Sequence, residues 1–284
     1  MSAGIARHLH DQGHTVIGVS RRRSDILPEA IAQLGLDIGA PDVIQCATEG
    51  IVACDAVVHA AACLDESSDC TETSRVNCLG THQTLMLAQA TKAARFVYIS
   101  SLSVLGAPQE HPVTETHPVA PGTAYAASKL YGELLTTQAD STRMRAVSFR
   151  ISSPVGPGLA YKRIFRVFVE NAVHNKPIVL HGSGTRKQDY IDVRDIAAAT
   201  AAVLSSSASG IFNIGAGVPV SNLELAQCCV KTLHSHSEII FSGKDALDDA
   251  VVWDITIDKA AKRFGYAPQY PLRTSILDAA TEMR

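Results

Sequence analysis

Apolar residues in the first half of the chain alternate between helical and strand spacing. Residues 3–12 place Ile5 and Leu9 on one helical face, and Gly13 follows where a helix end is expected. The β-branched run HTVIGVS then ends at Ser20, as a buried parallel strand would. The predicted strands LGLDI, DAVVHAAA and RFVYISS follow, with helical patterns at 41–49 and 74–94. Strands that alternate with helices predict a parallel sheet covered on both faces.

The second half of the chain continues the alternation less regularly. Its predicted helices are AYAASKLYGELLTTQA, IFRVFVENAVHNK, 195–204 and NLELAQCCVKTL. Its predicted strands are MRAVSFRI, GIFNIG and IIFS, and the last part of the chain is rich in turn residues. The sequence contains no repeat and no obvious linker, so we expect a second lobe that is interleaved with the first.

Composition narrows the range of functions. A chain of 284 residues, 46% hydrophobic and 19% charged, is long enough for a substantial core. A net charge of -3 without clustered basic residues argues against a nucleic-acid surface. No run approaches the roughly 18 apolar residues of a membrane span, and the first residues lack the apolar region of a secretory signal. We therefore expect no membrane contact and a cytoplasmic location.

The cysteines argue against a metal site. There are seven of them, an odd number, and no two are spaced as C-x-x-C. This pattern is typical of reduced thiols in a cytosolic protein rather than of a disulfide framework or a zinc site. We predict no bound metal.

Tyr125 and Lys129 lie four residues apart in a predicted helix and so share one of its faces. A free tyrosine has a pKa of about 10, but an adjacent cation stabilises the phenolate and lowers that pKa. Tyr125 could then exchange a proton with a substrate hydroxyl. The alternative interpretation is an ordinary surface pair, because Y-x-x-x-K also occurs by chance.

A serine cluster upstream of this helix favours the catalytic interpretation. The strand RFVYISS ends in Ser100 and Ser101, and Ser103 follows it, at the carboxyl edge where doubly wound folds bind ligands. A hydroxyl there can donate a hydrogen bond to a substrate oxygen and fix its position relative to Tyr125. The alternative is a strand exit whose serines only cap the next segment.

The segments around these serines and Tyr125 resemble those of a known family. FVYISSLSVLG, followed by PVTETHPVAPGTAYAASKLYGE, is similar to the strand and catalytic helix of extended short-chain dehydrogenases, the NAD-dependent epimerase/dehydratase family. Further similar motifs are HAAA at 59–62, RVNCLGT at 75–81, FRISSPVGPG at 149–158, GSGTRKQDYIDVRDIA at 182–197 and FNIGAGVPVSNLELA at 212–226. The resemblance implies that Ser101, Tyr125 and Lys129 form the catalytic set.

The resemblance also implies a site for a nicotinamide dinucleotide. Lys129 would bond the nicotinamide ribose while Tyr125 moves the proton. The other residues that it assigns to the cofactor are Asp37 and Ile38 beside the adenine, Ala60, Ala61 and Ala62 where side chains must be small, Asn77 behind the catalytic helix, Ser100, and Ser152 and Ser153 in one wall. For these lining residues the alternative is ordinary core packing.

The sequence departs from the family at its beginning. A site of this kind starts with a strand and a glycine-rich loop before the first helix, whereas this sequence starts at that helix, with Gly4 the nearest glycine. The absent strand is central in the family's sheet order, so its loss would leave ladder groups unpaired on both neighbours. We expect that the start is internal to a longer reading frame. The alternative is a decayed or non-catalytic protein.

The end of the HTVIGVS strand bears on cofactor choice. An acidic residue there would bind the ribose 2'-hydroxyl and select NAD, whereas this chain has Ser20, Arg21 and Arg22. Neutral and cationic residues suit the 2'-phosphate, so we predict NADP, with NAD as the alternative. A solvated basic turn is the interpretation without a cofactor.

The substrate is less well defined. The resemblance places Ser103, Arg186 and Gln188 at the substrate, but UDP-sugar epimerases of the family have an arginine where this chain has Gln188. A bidentate clamp on a diphosphate is therefore not assured, although Arg186 and Lys187 could replace it. We expect a sugar-like small molecule that carries an alcohol or ketone carbon.

These observations combine into one prediction. The fold is α/β, a Rossmann-like doubly wound parallel sheet that lacks its first strand, with a smaller C-terminal lobe. Residues 1–150 would form the NAD(P)-binding domain and 151–284 mostly the substrate lobe, with 188–215 returning to the nucleotide-binding sheet. We expect an NAD(P)-dependent epimerase, dehydratase or reductase; the alternative is a non-catalytic protein of the same fold. The family further implies a homodimer through the helices at 77–94 and 125–139.

Overall fold

The computed structural model describes residues 1–41, 43–64, 70–159, 163–246 and 248–283. In the first half the elements are α1 (Ser2–Asp11), β1 (Ile17–Ser20), β2 (Ala32–Gly35), α2 (Val43–Gly50), β3 (Ala56–His59), α3 (Thr71–Thr73), a π-helical turn (Ser74–Leu79), α4 (Gly80–Ala90), β4 (Arg95–Ser101), a 3₁₀ helix (Leu102–Leu105), α5 (Ala124–Ala139) and β5 (Arg145–Ile151). In the second half they are β6 (Ser153–Val155), α6 (Ile164–Val173), β7 (Ile178–Leu180), β8 (Lys187–Asp192), α7 (Val193–Leu204), β9 (Gly210–Ile214), β10 (Pro219–Ser221), α8 (Asn222–Leu233), β11 (Ile239–Phe241), α9 (Asp258–Phe264) and α10 (Leu272–Thr281).

The largest sheet is parallel and has the strand order β3-β4-β5-β9. Successive side chains of its buried strand β4 point to opposite faces. Val97 and Ile99 pack in a core with residues of α1 and α7, whereas Phe96 and Tyr98 pack in a second core with residues of α4. Helices thus cover both faces, which confirms the predicted α/β architecture.

The other N-terminal strands form a separate sheet. Among the described residues, β1 is paired with β2 and β3 with β4, and the structure contains no ladder between β1 and β3. The helix α1 is nevertheless in place, because Ile5 and Leu9 are buried against the four-stranded sheet.

The C-terminal lobe has its own core and two small sheets. These sheets have the orders β10-β8-β6 and β11-β7, and buried residues of α6, α8 and α10 pack against them. The chain crosses between the lobes, since β9 pairs with β5 in the large sheet. Of the interval 188–215, β9 therefore joins the large sheet whereas β8 pairs with β6 and β10. The division into two domains remains a prediction.

Several local predictions were wrong. The terminal stretch, described from its sequence only as rich in turn residues, contains the helices α9 and α10, which were not predicted. The helix α10 buries Ile276, Ala279 and Ala280, a helical spacing hidden between prolines and polar residues. The predicted strand LGLDI is displaced, because β2 ends at Gly35 and Asp37 lies after it.

Two negative findings concern the residues that the structure describes. None of their helices is long and apolar enough to cross a bilayer. Their His, Cys, Asp and Glu side chains form no group of three or more that could hold a metal ion.

A buried ion pair fixes α5 to the large sheet. The Arg150 guanidinium on β5 donates to both carboxylate oxygens of Glu133 on α5, with Nη2 2.8 Å from Oε2 and Nε 3.0 Å from Oε1. The hydroxyl of Ser100 at the end of β4 donates to the same carboxylate over 2.6 Å. The side chains of Arg150 and Glu133 are only 3% and 2% exposed. Two strands and the helix therefore meet at one carboxylate.

We expect Arg150→Met to lower the free energy of unfolding by about 3–5 kcal/mol, because the change leaves a buried carboxylate without its cation. The double variant Arg150→Met with Glu133→Leu should recover much of this loss, since no buried charge remains. Urea denaturation measures both, with Asp258→Asn at an exposed ion pair as the control. A loss for Arg150→Met no larger than that of the control would contradict the assignment.

Candidate active site

The site is built at the carboxyl end of β4. Ser101 caps the 3₁₀ helix, and its hydroxyl accepts hydrogen bonds from the Ser103 N–H over 3.2 Å and from the Ser103 hydroxyl over 3.0 Å. The helix ends at Gly106, whose φ is 68° and where an added Cβ would lie 2.4 Å from the Ala120 carbonyl oxygen. Only glycine fits both constraints, so the S-x-x-x-x-G spacing has a local structural cause. The short helix turns the chain away from the strand end and leaves Ser101 partly exposed there.

The helix α5 begins just where its sequence predicts. Thr123 accepts a hydrogen bond from the Ala126 N–H over 3.1 Å, which is a standard N-cap. Tyr125 lies in the first turn and is partly exposed, whereas Lys129 in the next turn is 3% exposed. The helix packs against β4 and β5, so both residues are held near the strand ends. Tyr125 and Lys129 therefore lie one helical turn apart on α5, with Tyr125 partly exposed and Lys129 buried.

The surroundings of Lys129 change its acid–base behaviour. Burial lowers the pKa of its ammonium to about 7, although the nearby Glu133 carboxylate acts in the opposite direction. Its Nζ lies 4.4 Å from the centroid of the Tyr98 ring. The neighbouring His59 is also buried, and burial together with the Lys129 charge lowers its pKa to about 3. Lys129 is therefore poised to titrate near neutrality while His59 stays uncharged.

Asn77 connects α5 to the segment that follows β3. Its amide nitrogen donates to the Ser128 hydroxyl and to the Cys63 carbonyl, each over 2.9 Å, and its amide oxygen accepts from the Cys63 N–H over 2.7 Å. Ser128 in turn donates to the Tyr125 carbonyl over 2.7 Å. Asn77 thus contacts both the first turns of α5 and the segment that follows β3, and its role beside a cofactor stays a prediction.

The other predicted cofactor residues fall into three groups. Ala60, Ala61 and Ala62 follow β3 and are partly or fully exposed, so they leave open space beside the strand end. Ser152 and Ser153 follow β5, where the Ser152 N–H donates to the Ile214 carbonyl over 3.0 Å. The third group lies at the ends of β1 and β2.

Charged residues at the ends of β1 and β2 form one ion-pair network. Arg21 bonds Glu72 over 3.0 Å, Arg75 bonds Glu72 over 2.8 Å, and Arg75 bonds Asp37 over 2.9 Å. The pKa of Asp37 is lowered by a hydrogen bond from the Gly39 N–H and by the hydrogen bond and positive charge of Arg75. Glu72 therefore already partners the arginine that was predicted to meet a 2'-phosphate.

Two neighbours of this network have their own contacts. The Ser20 hydroxyl donates to the Arg22 carbonyl over 2.6 Å, and the Arg22 side chain is exposed. The Ile38 carbonyl accepts a hydrogen bond from the Gln83 amide over 3.1 Å. The Ile38 side chain lies against Gly80, where an added Cβ would be 2.8 Å from Ile38 Cδ1. Ile38 thereby packs the end of the second strand onto α4.

The predicted substrate residues of the second half have different partners. Arg186 forms an ion pair with Asp248, with Nε 2.6 Å from Oδ2. Gln188 is buried in β8, opposite Val220 of β10. Ser103 is the one member of this predicted set that contacts the Ser101 cluster. Ser103 therefore lies at the end of β4, whereas Arg186 and Gln188 lie at β8.

Sequence reasoning did not find four residues around Lys129. They are His59, Tyr98, Glu133 and Arg150, all of them buried. Glu133 follows Lys129 by four positions and Tyr98 precedes Ser100 by two, so helical and strand spacing could have placed both near the site. Arg150 and His59 carried no local signal beyond a charged residue within an apolar strand.

Comparison with known proteins identifies the family. The model of the NAD dependent epimerase/dehydratase family matches residues 3–215. This chain belongs to the NAD-dependent epimerase/dehydratase family. The dTDP-glucose 4,6-dehydratase of Streptomyces niveus is 27% identical over 229 residues, which cover 79% of this chain and 68% of that protein. Across five curated dTDP-glucose dehydratases, the matched region spans 48% to 68% of their length.

Solved structures share the fold of this family member. The UDP-glucose 4-epimerase of Thermotoga maritima, solved with UDP-glucose, superimposes with a TM-score of 0.89 at 17% identity, covering 99% of this chain and 94% of that one. The UDP-glucose 4-epimerase of Thermus thermophilus, solved with NAD, gives a TM-score of 0.84 at 20% identity with the same coverage. At these identities the likeness shows a common architecture.

The pKa of Lys129 predicts how stability depends on pH. The unfolded lysine has a pKa of about 10.4, above the folded value of about 7, so between these values the unfolded state holds more protons. The free energy of unfolding of the wild type should therefore rise relative to Lys129→Met between pH 7 and 10, by at most about 1.4 kcal/mol per pH unit. Below pH 7 the difference should be constant.

Urea denaturation at several pH values measures this difference, with Lys262→Met at an exposed lysine as the control. A difference between wild type and Lys129→Met that does not change from pH 7 to pH 9.5 would show that Lys129 titrates as a solvated lysine.

Proposed function

We propose that this protein is an NAD(P)-dependent epimerase or dehydratase that acts at an alcohol or ketone carbon of a nucleotide sugar. Ser101, Tyr125 and Lys129 are the proposed catalytic residues. The observation that carries the proposal is the buried Lys129 amine one helical turn below the partly exposed Tyr125, on a helix packed against the strand that ends at Ser101.

In the proposed reaction Tyr125 removes the proton of a substrate hydroxyl. The Lys129 ammonium stabilises the Tyr125 phenolate that accepts this proton, and the phenolate in return favours the charged form of Lys129. Ser101 donates a hydrogen bond to the same substrate oxygen and so fixes the distance over which the proton moves. When bound, the nicotinamide ring would accept the hydride that leaves the same carbon. The carbon would become a carbonyl, and return of the hydride to its opposite face, with the proton returned by the Tyr125 hydroxyl, would give the epimer.

The residues present fit a dinucleotide. The small side chains of Ala60, Ala61 and Ala62, of which Ala61 is exposed, follow the carboxyl edge of β3, which is the edge where parallel sheets of this class bind nucleotides. Lys129, Asn77 and Ser100 would lie toward the nicotinamide ribose, and Ser152 and Ser153 would form the far wall. Asp37 and Ile38 would border the adenine. These assignments are proposals carried by the resemblance and by the placement of the strand ends.

The substrate class rests on the relatives and on one ion pair. The relatives named above act on dTDP-glucose or UDP-glucose by name, which supports a nucleotide-linked hexose. Arg186 is the candidate cation for its diphosphate, but Asp248 neutralises it in the free protein. We infer that a substrate diphosphate would have to displace Asp248 from Arg186.

A non-catalytic dinucleotide-fold protein is the second candidate. The observation that favours it is the absence of a ladder between β1 and β3 among the described residues. A fluorescence titration of NADPH and NADH into the 284-residue chain separates the candidates, because saturable binding supports the enzyme and no binding of either supports the alternative.

The homodimer stays a prediction, and exposed apolar residues on α4 and α5 support it. The helices expose Met86, Tyr131 and Leu134, an apolar set larger than single scattered residues. Their surface would be covered by a second copy in the dimer that the family implies.

We expect Tyr125→Phe to lower kcat by about 10²–10⁴-fold, because it removes the group that accepts the proton. Dinucleotide affinity should change by less than about twofold, since Lys129 and the strand ends are untouched. Conversion of UDP-glucose or dTDP-glucose followed by NMR measures turnover, and fluorescence titration measures affinity. Tyr131→Phe, at an exposed tyrosine of the same helix, is the control. Retention of more than a tenth of wild-type turnover would remove Tyr125 from the mechanism.

The ion-pair network predicts how to change cofactor choice. We propose NADP as the preferred cofactor, with Arg21 and Arg22 facing its 2'-phosphate and Glu72 reducing the preference by pairing with Arg21. Glu72→Gln should then raise the affinity for NADP about two- to fivefold while leaving NAD affinity unchanged, a range set by the strength of exposed ion pairs. Calorimetric titration of both dinucleotides measures the ratio, with Asp258→Asn as the control. The assignment would be contradicted if Glu72→Gln had the same ratio of NADP to NAD affinity as the wild type, or if the wild type bound NAD more tightly than NADP.

A further inference from the structure

Tyr98 lies beneath the catalytic helix. It is fully buried on β4, and its ring faces Lys129, whose Nζ lies 4.4 Å from the ring centroid. The His59 ring stacks against the same phenol at a centroid distance of 5.6 Å and an interplanar angle of 28°. The His59 Nε2 lies 2.8 Å from the Thr81 hydroxyl, which fixes the imidazole in turn. The aromatic ring is thereby held by the neighbouring strand and by α4.

A glycine in α5 makes room for this ring. Gly132 follows Lys129 by three positions, and an added Cβ there would lie 2.3 Å from both the hydroxyl oxygen and Cζ of Tyr98. The phenol therefore lies directly against the helix backbone. With His59 on one side and Gly132 on another, the ring has little freedom to move away from Lys129.

The carboxylate nearest to Lys129 is already occupied. Both oxygens of Glu133 bond the Arg150 guanidinium, and Ser100 donates to the same group. His59 is uncharged near neutrality, so it adds no like charge beside the ammonium. The face of an aromatic ring attracts a cation electrostatically, and most strongly where water is excluded. The Tyr98 ring is the group placed to offset the burial of the ammonium.

We propose that Tyr98 is a positioning residue whose ring face holds the Lys129 ammonium in place for the dinucleotide and for Tyr125. This inference rests on the proposed function, in which Lys129 is catalytic. It assigns the ring, and not the hydroxyl, as the part of Tyr98 that matters. Tyr98 acts through Lys129 and need not touch the substrate.

The groups that face Lys129 come from every element packed around it. His59 of β3, Tyr98 of β4 and Glu133 of α5 interact with Lys129 directly, Arg150 of β5 is held by Glu133, and Cys78 of the π-helical turn and Tyr125 of α5 interact with the Tyr98 phenol. The test therefore changes the ring while keeping this charged set constant.

The direct test is the pKa of Lys129 in the protein without added cofactor. Lysine labelled with ¹³C at Cε is titrated by NMR, and the Lys129 signal is assigned by its loss in Lys129→Arg. Tyr98→Phe should leave the pKa of Lys129 within about 0.3 of the wild type, because the ring remains. Tyr98→Leu should lower that pKa by about 0.5 to 1.5, the range expected for loss of a desolvated cation–π contact. Lys259, whose Nζ lies 4.8 Å from the Phe212 ring, is an internal reference that should not move.

A graded series keeps the test decisive if Tyr98→Leu does not fold. Phenylalanine analogues with one to five ring fluorines, incorporated at position 98, keep the shape while they progressively weaken the negative charge of the ring face. The pKa of Lys129 should fall stepwise with fluorine number, and the alkaline limb of kcat should move to lower pH in parallel. A Lys129 pKa that is independent of fluorination would overturn the proposal.

The outcomes distinguish this inference from the proposed function. If the pKa of Lys129 falls as the ring is fluorinated, the role of Tyr98 is supported. If Tyr125→Phe nevertheless retains turnover, only the catalytic assignment of Tyr125 is contradicted. A Lys129 pKa that ignores the ring, combined with loss of turnover in Tyr125→Phe, overturns the role of Tyr98 and leaves the catalytic set standing.

Discussion

The packing of α5 onto the ends of β4 and β5 is the constraint on which the site depends. Helix and sheet meet through the buried Glu133 carboxylate, which accepts from Arg150 and Ser100. Taking a carboxylate and a guanidinium out of water is favourable only when their hydrogen bonds are satisfied, so this contact admits few alternative geometries. The position of α5 in turn determines where Tyr125 and Lys129 lie relative to Ser101.

The same contact limits which groups can partner the buried Lys129. The carboxylate that would ordinarily neutralise it is used to hold the helix, and the space beneath the amine is filled by an aromatic ring instead. Gly132 allows that ring to approach the helix backbone closely. The result is an amine that titrates near neutrality, while the neighbouring Asn77 fixes the helix from its other side. Structure and electrostatics at this site are therefore set by one group of buried residues.

The elements nearest to the site were the most predictable from sequence. The bounds of β4 and α5 agree with the predicted segments, because a continuous apolar run and a threonine cap are strong local signals. In contrast, β8 was missed because its sequence KQDYID is polar. It forms a strand since Asp189 accepts hydrogen bonds from the Ala216 and Val218 N–H groups, partners that lie far along the chain.

The same reasoning separates the predictable from the unpredictable residues of the site. Tyr125 and Lys129 share a helix, so their relation follows from spacing alone. The meeting of Tyr98 with Lys129 depends on how a strand and a helix pack, and the pairing of Arg21 with Glu72 depends on how two strand ends approach a helix. Tertiary contacts of this kind leave no periodic signal in the sequence.

The most direct measurement of the central claim is a crystal structure of the protein with NAD(P) and a nucleotide hexose. The account predicts that the Tyr125 hydroxyl and the Ser101 hydroxyl both lie within about 3.2 Å of the same substrate oxygen, with Lys129 against the nicotinamide ribose. A complex in which Ser101 is distant from Tyr125, or in which Lys129 has turned into solvent, would contradict it.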